Sequence, residues 1–505
     1  MKSGHEDLSL TQSQSTSKTN KSVAFASPKD FAEIWQTLLQ EGHLEQILKS
    51  VASLLQESRV AHYKSALERS QTEDYQLVEE GASIPDVITS LQQYMQKAVN
   101  TQSPYFLNQL YGGAHPLAVL AEFVTAFMNT SMATYEIAPV ATMMENEILK
   151  ALASLTDWPE IDGLFVPGGS YANMMAFHVA RYHKCPQVKS QGQDSKLCVY
   201  VSDQAHYSIQ KAAHLLGFGE NAVRIIASDS KYKMSPVYLE KQILQDLSQG
   251  LRPCAVVSTL GTTVFGALDP IKDIQAVCKK YGVWHHVDAA WGGPLIFTSK
   301  DLQNDLQDVD SITYDFHKLF GAGVTKALFV TSHPEILEQT NSCMGTEYIF
   351  HEEPDSEWDT GVKALQCGRK VEALTLWTLW KYLGRQGFKD YIDRFLTLQN
   401  FAITELRQRG FELLHEPEYL NLCFKVPAAK NSSQMLNDSQ HTSLRQSLIH
   451  GGELFVNYSS DSKNGVFIRL VLSHLQINEL TLQKTFDLIE EARDRMMHND
   501  QSSFL

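Results

Sequence analysis

The chain has 505 residues, 43% of them apolar, which suits a large buried core and excludes a fibre or a disordered chain. Its 43 basic and 58 acidic residues leave a formal charge of −15, which argues against nucleic acid or an anionic membrane as the partner. A small acidic ligand stays open, because one local cation can hold it.

Residues 1–26 are rich in Ser, Thr, Gln and Lys and carry no apolar stretch, so they read as a disordered tail without a secretion signal. Residues 27–104 read as an N-terminal helical segment. "FAEIWQTLLQ", "LEQILKSVASLLQE" and "SIPDVITSLQQYMQKAV" space apolar residues by three and four, and the last starts with a proline that a helix N-terminus tolerates.

Residues 105–385 form the expected large domain. "PLAVLAEFVTAFM", from Pro116, is short for a membrane span and contains Glu122, so it reads as a core helix. Beyond it strand and helix patterns alternate through "GLFVPGGSYANMMAFHVARYH", "KLCVYVSDQAHYSIQKAAHLL", "CAVVSTLGTTVFG", "IKDIQAVCKKYG", "VWHHVDAAWGG", "SITYDFHKLFGAG" and "ALFVT". This is the pattern of an α/β fold, a mostly parallel sheet flanked by helices on both faces. Ligands gather at the carboxyl ends of such strands. Five consecutive strand ends deliver Gly168-Gly169-Ser170, His206, Thr262-Thr263, Asp288, and Asp315 to Lys318.

Residues 386–505 follow a long helix, "RKVEALTLWTLWKYLG", and read as a small C-terminal α+β domain with strands "LNLCFKV", "LFVNYSS" and "GVFIRLVLS". The polar stretch 430–443 reads as an exposed loop, and "LTLQKTFDLIEEARDRMM" as the last helix. The seven cysteines are odd in number and lack a C-x-x-C pair. They read as reduced thiols of a cytoplasmic protein, not as a metal site or disulfide framework.

The strand-end residues carry the chemistry. A lysine just behind a buried strand is awkward as an ammonium. Grouped with Asp288 and His206, Lys318 reads as a Schiff-base lysine. A buried Asp288 needs a cation, and a protonated pyridine nitrogen would serve. His206 reads as an imidazole stacked on a flat ring, with the small Ala290 near the opposite face. "PGGSYAN" lets the backbone approach an anion at a helix start. It also approaches the G-x-S-x-G nucleophile elbow, but Ala172 replaces the last glycine, and a serine hydrolase on Ser170 leaves Lys318 unexplained. His285 and His286 point to opposite faces of one strand and read as structural.

"HVDAAWGG", with "HK" thirty residues after its aspartate, resembles the pyridoxal-phosphate decarboxylases of the glutamate and aromatic amino acid group. "LNQLYGG", "TYEIAPV", "PGGSYANMM", "AHYSIQKAA", "LGTTVFGALDP", "DTGVKALQCGR" and "FIRLV" are most similar to the acidic-substrate branch, the cysteine sulfinate and glutamate decarboxylases. The resemblance implies fold type I and pyridoxal 5'-phosphate as cofactor. It implies that Lys318 holds the cofactor, Asp288 pairs with the ring nitrogen and His206 stacks on the ring. Gly169, Ser170 and His317 would surround the phosphate, and Thr263 would lie near the ring oxygen. Arg469 in "FIRLV" would hold the substrate carboxylate, and Gln109 would line the substrate pocket. It also implies a homodimer with the active site at the subunit interface, where Gln109 and Tyr111 would serve the neighbouring chain.

The implied reaction is α-decarboxylation of a small acidic amino acid to its amine and carbon dioxide. Tyr111 stands where the glutamate enzymes have a small residue, so cysteine sulfinate or aspartate is favoured over glutamate. A non-catalytic cofactor-binding relative is argued against by the retained lysine. Two departures stand out. The usual Asn-Pro-His-Lys becomes Asp315-Phe316-His317-Lys318, and "YIFHEEPDSEWDTG" is slightly short and lacks the loop tyrosine that reprotonates the α-carbon. Tyr348 or His351 would then have to substitute, with slower turnover or more abortive transamination expected.

Overall fold

A computed structural model describes residues 34, 36–57, 59–60, 77, 79–351 and 354–502. The tail expected over 1–26 lies outside the described residues, as does part of the helix expected over 31–40. The chain divides into two compact units, 1–54 with 73–96 and 55–72 with 97–505. In the first, helices His43–Gln56 and Ile84–Lys97 match the spacing of their apolar residues. Pro85 occupies the first turn of the second helix, and the Ser83 hydroxyl accepts from the Asp86 amide at its start.

The second unit holds a seven-stranded sheet. Its strands are β1 (Asp162–Pro167), β2 (Leu197–Ser202), β3 (Val223–Ile226), β4 (Arg252–Thr259), β5 (Trp284–Ala289), β6 (Ser311–Asp315) and β7 (Lys326–Thr331). Their spatial order is β1-β7-β6-β5-β4-β2-β3. Pairings from β3 through β6 are parallel, whereas β7 runs antiparallel to both β6 and β1. Two reversals restore direction, so β1 ends on the same edge as β2, β4, β5 and β6. The strand ends are not consecutive as expected: the short edge strand β3 falls between β2 and β4. It has only four residues, Arg224 interrupts its apolar ones, and only Ile226 is buried, so it shows no continuous apolar run.

One sheet face packs on helix Gly169–Lys184, through Ala172, Ala176 and Phe177 against Val199, Val257 and Phe329. Across the other, Phe165, Val287 and Ile312 join a core with helix Ala373–Gln408 and the small sheet. That helix is interrupted at Gly384, whose φ of +62° only glycine adopts readily. The small sheet is antiparallel, in the order β10 (Asn457–Asp461), β11 (Gly465–Val471), β9 (Asn421–Lys425), β8 (Glu412–Leu413).

Two further expectations are corrected. The stretch 430–443 is not all loop, because helix Asp438–Gly451 begins inside it. Asn437 and Gln440 form a reciprocal capping box there, which satisfies the first free amides. Helix Pro116–Met128 is not a core helix all round. It buries Ala118, Ala121 and Thr125 but exposes Val119, Leu120, Phe123, Val124, Phe127 and Met128. No helix among the described residues is long and apolar enough to cross a membrane.

Candidate active site

A cleft of about 480 Å³ opens where β1, β2, β4, β5 and β6 end. Gln109, Tyr111, Gly169, Ser170, His206, Thr263, Asp288, Ala290, His317, Lys318 and Arg469, all expected from the sequence, line it, whereas Thr262 and Phe316 do not. Gly169 and Ser170 start the helix after β1, with Gly168 at φ +94° just before it. An added Cβ at Gly169 would stand 2.8 Å from Asp315 Oδ2, so only glycine lets the backbone close in there. The free amides of that helix start face the cleft side of the sheet.

Lys318 follows β6 and reaches the cleft with 19% of its side chain exposed. Its Nζ lies 3.0 Å from Asp315 Oδ2. The Nδ1 of His317 faces the Lys326 carbonyl at 3.0 Å, so that nitrogen carries the ring proton. Burial lowers the pKa of His317 below the usual imidazole value.

Asp288, at the end of β5, is buried and fully partnered. Its Oδ1 accepts from the Ala290 amide at 3.1 Å and its Oδ2 from Asn173 Nδ2 at 2.8 Å. Asn173 is the hub of this end of the cleft. Its Nδ2 also donates to Ser208 Oγ, while its Oδ1 accepts from Thr313 Oγ1 and faces His286 Nε2. The donors fix the tautomers. The indole N–H of Trp284 can only donate, and it points at Ser311 Oγ. Asn173 Nδ2 must face the Asp288 carboxylate, so its acceptor Oδ1 faces His286 Nε2, which therefore carries the proton and leaves Nδ1 to accept from Ser311. Likewise Ser208 accepts from Asn173 and donates to His206 Nδ1, which also accepts the Ser208 amide. His206 thus carries its proton on Nε2. Burial lowers the pKa of His206, and pushes that of His286 down to about 4, so both rings are neutral at physiological pH.

The opposite wall comes from the small sheet. Arg469 on β11 is buried, and its Nη1 and Nη2 donate to the carbonyls of Thr263 and Asn108 at 3.0 and 2.7 Å. Its Nε has no partner, so a guanidinium with five donors keeps some for a ligand carboxylate. Gln109 and Tyr111 line the cleft of their own chain. Three hydrogen bonds hold this segment: the Leu107 amide donates to the Phe455 carbonyl, the Val471 amide to the Leu107 carbonyl, and the Ser473 hydroxyl to the Gln109 carbonyl. They lay this segment along the small sheet, next to Arg469.

Sequence reasoning missed Asn173, although it lies four residues after Gly169 and so on the same helix face. His286, read as structural, does more than fill the core, since it orients that hub. His285 is structural, buried between Ser258 and Gln275. His351 lines a separate cavity, and Tyr348 is exposed, so neither lines the Lys318 cleft.

Residues 67–427 match the family model described as the pyridoxal-dependent decarboxylase conserved domain. The chain is 37% identical to human cysteine sulfinic acid decarboxylase, over 82% of this chain and 87% of that one. It is 36% identical to the acidic amino acid decarboxylase GADL1 of Xenopus tropicalis, over 78% and 80% of the two chains. The crystal structure of mouse CSAD superposes with a TM-score of 0.84 at 33% identity, covering 90% of this chain and 98% of that one. Tryptophan decarboxylase of Catharanthus roseus, solved with L-tryptophan, shares the fold at 20% identity with a TM-score of 0.80.

Proposed function

This chain belongs to the pyridoxal-dependent decarboxylase family, and we propose that it removes the α-carboxylate of a short acidic amino acid, cysteine sulfinate or aspartate. The residues of the cleft fit pyridoxal phosphate. Gly168, with a φ of +94°, and Gly169, closed against Asp315, line the cleft at a helix start, an arrangement that suits a phosphate. When bound, the cofactor supplies an electron sink for the bond that breaks at the α-carbon.

The chain's own residues then divide the work. Lys318 supplies the amine that holds the cofactor. Asp288, aimed by Asn173, offers a carboxylate to its ring nitrogen. The neutral His206 presents a ring face, and Ala290 leaves room on the other side. Ser170 and His317 would help to hold the phosphate, and Thr263 would help to hold the ring. Arg469 binds the substrate carboxylate and, with Gln109, sets the bond to be broken across the ring plane.

One observation carries the substrate reading. Tyr111 lies in the same cleft as Arg469 and Lys318, and a bulky ring in that cleft would leave less room for a longer side chain. One methylene discriminates by about 1–3 kcal/mol, so glutamate is expected as a poorer substrate, not an excluded one. Comparing kcat/KM for cysteine sulfinate, aspartate and glutamate on the purified protein tests this; glutamate as the best substrate would overturn it. Tyr111→Ala should shift the preference toward glutamate.

The protein is proposed to act as a homodimer. Helix Pro116–Met128 exposes Val119, Leu120, Phe123, Val124, Phe127 and Met128, and Ile137, Val140 and Met143 are exposed as well, a concentration of large apolar side chains that suits a subunit interface. Sedimentation showing a monomer at micromolar concentration would overturn that. The cytoplasm is the proposed compartment, since all seven cysteines are free. Recovery in the secreted fraction of cells would contradict it.

A further inference from the structure

We propose that Asp315 is the proton partner of Lys318: it holds the lysine as an ammonium in the cofactor-free chain and keeps that proton once the cofactor's phosphate lies at Gly168–Gly169. The inference rests on the cofactor placement given above.

The Asp315 side chain is 3% exposed, and a buried carboxylate needs compensation. Its Oδ2 has Lys318 Nζ at 3.0 Å, and its Oδ1 has no partner. His317 Nε2 stands 3.9 Å away but does not compensate, because the ring proton is on Nδ1, facing Lys326. The Lys326 ammonium is itself paired with Glu122. His206 adds no charge while its ring is neutral. Lys318 is therefore the cation that balances Asp315.

The same carboxylate lies against the first residue of helix Gly169–Lys184, as the 2.8 to 3.1 Å spacing to a Cβ at Gly169 shows. A phosphate bound at that helix start meets a like charge, and like charges disfavour each other's ionised forms. At the same moment Lys318 must give up a proton, because only the neutral amine is a nucleophile. One transfer answers both demands. An N–H bond at Nζ breaks, an O–H bond forms at Asp315, and a pair of opposite charges disappears. What remains is an amine with its lone pair and a carboxylic acid that can donate to a phosphate oxygen. No further reactant is needed.

The test has two arms. In the first, thermal midpoints of the cofactor-free protein are measured for wild type, Asp315→Asn, Lys318→Met and the double variant. Lys318→Met should lower the midpoint by leaving Asp315 buried without a cation, and the double variant should recover most of that loss. Additive midpoints would overturn the ion pair. The second arm measures the Kd for pyridoxal phosphate. Asn is neutral, as the protonated acid is, so Asp315→Asn should bind about tenfold more tightly, the equivalent of one pKa unit. Equal or weaker binding overturns the proposal. Asp315→Ala, which also removes the charge, replaces the Asn variant if that one does not fold. Borohydride reduction followed by peptide mapping reports on the placement separately. Cofactor fixed on another lysine would refute the placement and leave the cofactor-free thermal cycle standing.

Discussion

Both ends of the cleft hold a buried aspartate, and the two are built differently. Asp288 has a hydrogen bond on each oxygen, and its main partner, Asn173, uses both of its donors and both faces of its acceptor. Asp315 has one ion pair and one bare oxygen. A carboxylate held by fixed neutral donors keeps its charge and its aim whatever binds beside it. One held by a single mobile lysine keeps its charge only while that lysine keeps its own. The difference teaches where the site is rigid and where its charge can change.

The largest expected effect breaks the rigid end. Asp288→Asn removes the charge proposed for the cofactor's ring and should lower kcat/KM by about 10³, in the range of one lost preorganised electrostatic group. Carbon dioxide release measures it, and a loss below tenfold would sink the role given to Asp288. Its cofactor Kd should rise, opposite in sign to that of Asp315→Asn.

Next in size is Asn173→Leu. It strips Asp288 Oδ2 and His286 Nε2 of a partner in a buried place, at about 1–3 kcal/mol for each unsatisfied group. The thermal midpoint should fall and turnover with it; an unchanged midpoint would contradict the hub.

The smallest effect sharpens the comparison through pH. Burial pushes His286 down to about 4, whereas an unfolded chain titrates it near 6.5. Between those values the unfolded state holds one more proton, so stability rises with pH there and is lost as pH falls from about 6.5 toward 4. His285, also held near 4 by burial, adds the same slope. His286→Asn should show a shallower acid decline in urea unfolding than wild type; an identical slope would place the proton elsewhere.

Much of the site was legible because its residues stand at strand ends, where the alternation of strand and helix already points one edge at a ligand. Gly169, His206, Asp288 and Lys318 needed nothing more to be grouped. Asn173 was not legible, because its partners at 208, 286, 288 and 313 meet it only where one helix crosses the sheet. Helix Asp438–Gly451 was missed for a local reason: its polar first turn looks like loop unless the capping pair is read. The edge strand β3 was missed because it is short and half exposed. Helix Pro116–Met128 was assigned to the core by its apolar composition, which does not say which side meets another surface.

By itself the sequence determined the class of fold and which lysine, aspartate and glycines stand together at the strand ends, since each follows from periodicity or from a local run of residues. Only the tertiary structure decided that Gln109 and Tyr111 share a cleft with Lys318, that Asn173 bonds Asp288, and that Asp315 pairs with Lys318. Those are contacts between segments far apart in the chain. Backbone pairing and helix packing set them to within an ångström, and no local pattern encodes such distances.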